Sequence, residues 1–351
     1  MNTTRSTAFS AGLFVLTTLG GSSLTACSIQ TIVGTGTGGG GSGGSGAATT
    51  SVTGSGGGGS SAGTLIFDAA GKDLNPWGIA VDATDAYITD GAAPNGKVLR
   101  VPLDGSPATE LATGQYLPSA IAVDATDAYF MTPKAVMKVP VTGGPAMVLS
   151  GAKDNSFAGI VVDATNVYWT NYSNGGSTMS LPKAGGPATA VDTGGAYPSG
   201  IVVQGGSVYW ALLNSDEIKT APIAGGPATV FASGQNAPRS GLAADSTHLY
   251  WITEGDIPNR LVKAPLAGGP PVVVAVSPSD ASGPQSLLVD ATHAYFLGAS
   301  GWDCGIVKVE LATGTVSNIL LGGSIGCPMY LAADAANIYY TSRAGVTKVV
   351  K

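Results

Sequence analysis

A motif of about 42 residues recurs seven times between Trp77 and the C-terminus. Each copy divides into four short apolar segments, and the one segment missing from the last copy stands ahead of the first. Together these observations predict an all-β fold: a seven-bladed β-propeller with four-stranded blades over residues 64–351, its ring closed by an N-terminal strand that completes the C-terminal blade.

The anchor of each copy is a small or apolar stretch ending in Asp: Asp82, Asp124, Asp163, Asp245, Asp290 and Asp334, with Gln204 in that place in the divergent fourth copy. Strand one is the apolar run before the anchor, such as Gly78-Ile79-Ala80-Val81, and a continuous run of four fits a strand buried on both faces. The turn that follows (Asp82-Ala83-Thr84-Asp85, Asp124-Ala125-Thr126-Asp127) offers side-chain oxygens to nearby backbone amides. Strand two is aromatic, as in Tyr87-Ile88-Thr89-Asp90, Tyr168-Trp169-Thr170-Asn171 and Tyr250-Trp251-Ile252-Thr253. Strand three alternates, as in Val98-Leu99-Arg100-Val101, the pattern of a half-exposed strand. Four copies then carry a Gly-Gly-Pro turn, at Gly143, Gly185, Gly225 and Gly268, leading to an outer strand four. Glycine permits the positive φ such a turn needs, and proline suits an edge.

The chain ends after a third strand, Val346-Thr347-Lys348-Val349-Val350-Lys351, while Thr64-Leu65-Ile66-Phe67-Asp68 precedes the first copy as an unassigned fourth. Pairing the two closes the ring and removes the open edges a linear stack would leave.

These repeats resemble the YWTD and NHL propeller families, whose units run P-x-G-[IL]-A-V-D, then Y-W-T-D, then I-x-R-x-x-L-D-G. Tyr168-Trp169-Thr170-Asn171 and Leu103-Asp104-Gly105 are the best local matches. The resemblance implies the four-strand pattern and no particular ligand. YWTD propellers usually have six blades, and seven anchors depart from that.

The composition agrees with many short strands: 53 Gly and 21 Pro, with only 11% of residues charged. Net charge is −6 and the basic residues are scattered singly, so nucleic acid is not an expected partner. Ahead of the propeller, Arg5 is followed by an apolar run over residues 8–19, too short to span a bilayer but suited to the core of a signal peptide over 1–26. Leu24-Thr25-Ala26-Cys27 resembles the bacterial lipobox, which implies cleavage before a lipidated Cys27 and a membrane partner through that anchor. Ser28, where the inner-membrane signal would be Asp, implies the outer membrane, facing the periplasm or the surface. Several acyl chains would make such anchoring stable. Residues 27–63 then form the lipidated cysteine and a tether; 34–63 are Gly, Ser, Thr and Ala apart from Val52. A flexible coil of that length spans roughly 30 Å.

Four-strand order sorts the loops onto two faces. The strand one-to-two and three-to-four turns are short and uniform. The two-to-three and four-to-one connections are irregular: Gly91–Gly96, Asn171–Ser177, Leu213–Glu217, Glu254–Arg260, Gly298–Gly305, Gly151–Ser156 and Ser277–Gln285. Binding residues concentrate on such loops. Trp77, Tyr116, Phe157, Tyr197, Arg239, Gln285 and Tyr330, just before strand one, are expected around the channel mouth, with Tyr172 and Trp302 further out. Aromatics there could grip a peptide or glycan; the other reading of the same residues is a channel plug.

Catalytic machinery does not stand out. The two histidines, His248 and His293, share the turn position of Asp85 and Asn166, and the repeated anchors behave as structural turn residues. Asp73, Asp154, Asp216, Glu254, Asp256, Asp280 and Asp303 are the possible metal ligands or acid–base groups on the irregular face, spread over different blades. No G-x-S-x-G, phosphate-loop or His-x-x-Glu motif is present, and no cofactor or metal is expected. Cys304 and Cys327 remain as an even pair in an oxidising compartment and are expected to form a disulfide, with Cys304 in the two-to-three loop of blade six. The role expected from these features is a membrane-anchored recognition or scaffold module for protein, peptide or glycan. The runner-up is a metal-dependent, gluconolactonase-like hydrolase or lyase centred on the channel.

Overall fold

The structure, a computed structural model, describes residues 63–151, 157–253, 259–276, 286–300, 303–321 and 327–351. The signal peptide, Cys27, the tether, Gln285 and Trp302 lie outside them. Within them every regular element is a strand: 28 strands form seven four-stranded antiparallel sheets. In six sheets the four strands follow one another in the chain. In the seventh, Thr64–Asp68 pairs with Gly345–Val350, which continues to Asn337–Ser342 and Tyr330–Ala333. The ring is therefore closed by the N-terminal strand, and the first strands of successive blades meet in cyclic order, Tyr330–Ala333 returning to Pro76–Val81. No helix long and apolar enough to cross a membrane occurs among the described residues.

Each blade buries both faces against its neighbours, which is why strand two carries the large side chains. Tyr87, Tyr129, Tyr168, Tyr209, Tyr250, Tyr295 and Tyr339 are all buried, and separate clusters form between successive blades. Ile79, Ile121, Ile160, Ile201, Leu242, Leu287 and Leu331 occupy one register position in the first strands, and all are buried.

The anchor aspartates act as clamps. Asp82 accepts from the Thr84 and Asp85 amides through Oδ1 and from the Tyr87 hydroxyl through Oδ2. The same set recurs at Asp124, Asp163, Asp245, Asp290 and Asp334. One carboxylate thus closes the turn and ties it to strand two. In blade four, with Gln204, Tyr209 instead meets Phe231 edge-on at 5.3 Å. Burial pushes these carboxyls up, but the amide and hydroxyl donors, joined by the Lys183 ammonium at Asp124 and the Lys351 ammonium at Asp290, outweigh it and hold all six below the ordinary value, Asp245 at about 2. His248 and His293 sit in these turns, each with Nδ1 2.7 Å from the preceding threonine hydroxyl.

A second device joins blades. Thr89 Oγ1 accepts from the Gly78 amide of its own blade and donates to the Ser119 carbonyl of the next. Thr170 does the same between Gly159 and Ser199, and Thr341 donates across the closure to the Trp77 carbonyl. A side chain at Gly78 would meet the Ser119 carbonyl at 2.6 Å, so this bridge depends on glycine.

Two sequence expectations change. Gly298–Gly305 is not a loop: strands His293–Ser300 and Asp303–Glu310 pair out to Ala299 with Cys304 and Ser300 with Asp303. Small residues let the ladder run on where a loop was expected, and Cys304 therefore lies in strand three. Likewise Asn174–Pro182 takes in most of Asn171–Ser177.

Candidate functional site

Strand register places the irregular loops at one end of the ring. Pro76 pairs with Asp90, Phe157 with Asn171, Pro198 with Leu212 and Tyr330 with Thr341, so the starts of first strands and the ends of second strands lie together.

The described aromatics at this end do not form one continuous ring; they gather in local groups. Trp77 Nε1 donates to the Tyr330 hydroxyl at 3.0 Å, with ring centres 6.0 Å apart, joining blades one and seven. Tyr330 is half-buried against Trp77. Burial pushes its hydroxyl pKa up, and the Trp77 bond lowers it only in part. Tyr172 and Tyr197, from blades three and four, have ring centres 5.1 Å apart. Tyr116 is 48% exposed, and Lys134 Nζ stands 5.9 Å from its ring centre. The side chains of Phe157, Arg239 and Cys304 lie outside the described set. Cys327 takes part in a disulfide.

The backbone that presents these rings is unusual. Leu117, Tyr197 and Ala237 each precede a proline with φ of 47°, 57° and 52°. Residues before proline normally take extended conformations, so the surroundings must hold these turns. At Tyr197 the holders are visible: its amide donates to the Ser173 carbonyl, and its carbonyl accepts from the Leu213 amide. The ring of Tyr197 is thereby aimed from a clamp between two blades.

Asp90 is a site residue that sequence reasoning passed over. It is 1% exposed; Oδ1 accepts from the Asn75 and Ala92 amides, and Oδ2 has no hydrogen-bond partner. It ties the loop before strand one to the loop after strand two. The signal was the final position of the Tyr-x-Thr-Asp run, where other blades have Thr132, Asn171 and Ser342. Thr132 and Asn171 also bond locally there. Of the acids expected on this face, Asp216 accepts from the Ala237 amide through Oδ1, and Asp73 takes a positive φ. Asp154, Glu254, Asp256 and Asp280 lie outside the described residues, as does the side chain of Asp303. Among the described residues no three His, Cys, Asp or Glu side chains gather in a metal-binding group.

No protein-family model and no curated protein sequence matches the chain. Solved structures do. Virginiamycin B lyase from Staphylococcus aureus superposes with a TM-score of 0.67 at 16% identity, over 81% of this chain and 98% of that one. The same lyase, as a catalytically inactive His-to-Ala variant with quinupristin, gives 0.65 at 16% identity, over 81% and 98%. Oligogalacturonate lyase in complex with manganese gives 0.63 at 11%, over 83% and 93%. The nidogen/laminin complex gives 0.50 at 20%, over 62% and 86%. At such identities the likeness establishes the propeller fold, which lyases and protein-binding modules share.

Proposed function

We propose that this chain is a recognition module whose irregular-loop face binds a peptide, protein or glycan, held at the cell envelope by a lipid on Cys27. The observation that carries the binding reading is the set of aromatic side chains at one end of the ring, above all the Tyr172–Tyr197 pair. Tyr197 occupies a strained backbone position held from both sides. Strain of that kind collects at ligand clamps. The lipobox-like Leu24-Thr25-Ala26-Cys27 and the Gly/Ser-rich tether support the anchoring part. In this reading Cys304 pairs with Cys327, stapling blade six to the start of blade seven.

The lyase reading has less support. The lyase from S. aureus loses activity when one histidine is replaced, according to its solved variant. Here both histidines sit in short turns at the other end of the ring, each against a threonine. A test is to present the purified full chain to a panel of glycans and peptides, with Tyr172→Ala/Tyr197→Ala as control. Retention of one ligand class by the native chain and its loss in the variant is the expected result. Turnover of a panel member without retention would favour the enzyme.

A further inference from the structure

Charge on the irregular-loop face is unevenly placed. The sequence puts six acids, Asp216, Glu217, Glu254, Asp256, Asp280 and Asp303, against two bases, Arg239 and Arg260, in or beside the irregular connections of blades four to six. Around blade one the balance differs. Lys134 is at the tip of the two-to-three turn of blade two, and Arg343 is at the corresponding tip of blade seven. Both are exposed, and neither has an ion-pair partner among the described residues. The acids on the irregular connections of this sector are Asp68, the exposed Asp73, Asp90 and, in the connection leaving blade two, Asp154 beside Lys153. Asp68 caps the Ala70 amide and lies beside Lys72, which donates to its carbonyl, and Asp90 is buried. Lys97 is already paired with Glu110.

Three aromatics of the irregular face, Trp77, Tyr116 and Tyr330, lie in the same sector, apart from the Tyr172–Tyr197 pair of blades three and four. Tyr116, beside Lys134, is the most exposed aromatic among the described residues, while Trp77, Tyr172, Tyr197 and Tyr330 are half-buried. Trp77 and Tyr330 lie between the two cationic tips in blade order. An open ring with one unpaired cation beside it, and a second cation on a tip at the same end of the ring two blades away, suits an extended ligand with flat apolar faces and repeated negative charge.

We infer that the sector of blades seven, one and two binds an oligosaccharide of carboxylated sugars, with Tyr116 stacked on a sugar face and Lys134 and Arg343 pairing with carboxylates. This rests on the recognition reading above and names its ligand class. Repeated carboxylates match cations carried on separate blades. Stacking on Tyr116 needs a flat C–H face, which a sugar ring has and an acidic peptide backbone lacks.

The probe is an oligogalacturonate, compared with its methyl-esterified form and with oligoglutamate, titrated calorimetrically into the full chain at low and moderate salt. The acid sugar is expected to bind best and to weaken with salt. Lys134→Gln/Arg343→Gln should weaken it roughly three- to tenfold, the scale of two rim-exposed pairs. The ester should be indifferent to that double change, and Tyr116→Ala should weaken acid and ester alike. Equal binding of the acid sugar by the double variant, or equal binding of oligoglutamate, overturns the inference. If neutral glycans or peptides bind while the acid sugar does not, the inference fails and the recognition reading stands. If nothing binds, both fall.

Discussion

Asp245 holds four donors at once: the Thr247 and His248 amides and the Thr247 hydroxyl on Oδ1, and the Tyr250 hydroxyl on Oδ2, all within 2.8 Å. Those donors hold its pKa at about 2 despite burial, below the 3.8 of a free aspartate. The folded state therefore keeps this group charged where the unfolded chain already takes up protons. Its contribution is present above about pH 4 and is lost as the pH falls towards 2. The six clamps act together, so the melting temperature should fall steeply from pH 4.5 to 2.5; a flat profile would contradict the clamp. At the alkaline end, burial and the Asp163 bond push Tyr168 up to about 12. Stability from that group should be lost as pH rises from about 10 to 12. Asp245→Asn should cost ~1–2 kcal/mol by weakening charge-assisted bonds, read by urea denaturation at pH 7. Asp90 should behave differently. Its Oδ2 is buried with no hydrogen-bond partner, so Asp90→Asn keeps an acceptor for Asn75 and Ala92 and should leave stability unchanged or raised. Asp90→Ala strands both amides and should cost ~1–3 kcal/mol.

The strand Thr64–Asp68 joins the two ends of the chain. It buries Ile66 and Phe67 and pairs with Gly345–Val350. Two such side chains are worth ~1.5–3 kcal/mol each, a large share of the ~5–15 kcal/mol that holds a domain together. Deletion of residues 64–70 should lower the melting temperature markedly, and an unchanged midpoint would show that the ring closes some other way. The interblade threonines are a milder case. Thr341→Val keeps the shape but leaves the Trp77 carbonyl without its donor, for a loss of ~1–3 kcal/mol. The strand pattern was legible because propeller strands are short, repeated and set off by Asp, Gly and Pro turns. Blade six was misjudged at 298–305, where Gly, Ala, Ser and Cys give no alternation to read, yet small side chains let the hairpin extend.

At the scale of the whole molecule, two chemical features reach beyond a single blade, a disulfide and a lipid. Cys304 and Cys327 should appear two hydrogens lighter than free thiols in the non-reduced intact mass; two free thiols would refute the pairing. Anchoring should make the native chain partition into the detergent phase and Cys27→Ser remain in the aqueous phase; equal partitioning would remove the lipid from the account. The sequence by itself determined the architecture: seven anchors set the blade number, and complementary ends set the closure, because each repeat is a local pattern that cannot bury its faces alone. It also assigned both histidines to turns, since their offset from the anchor matched that of Asp85 and Asn166. Only the tertiary structure decided how the aromatics of the irregular face group. Trp77 meets Tyr330, and Tyr172 meets Tyr197, through contacts between blades that depend on backbone turns at Tyr197 and on loop-to-loop bonds. Asp90 emerged only there as well, because the strand pairing of blade one brings the Asn75 and Ala92 amides together on one buried carboxylate oxygen.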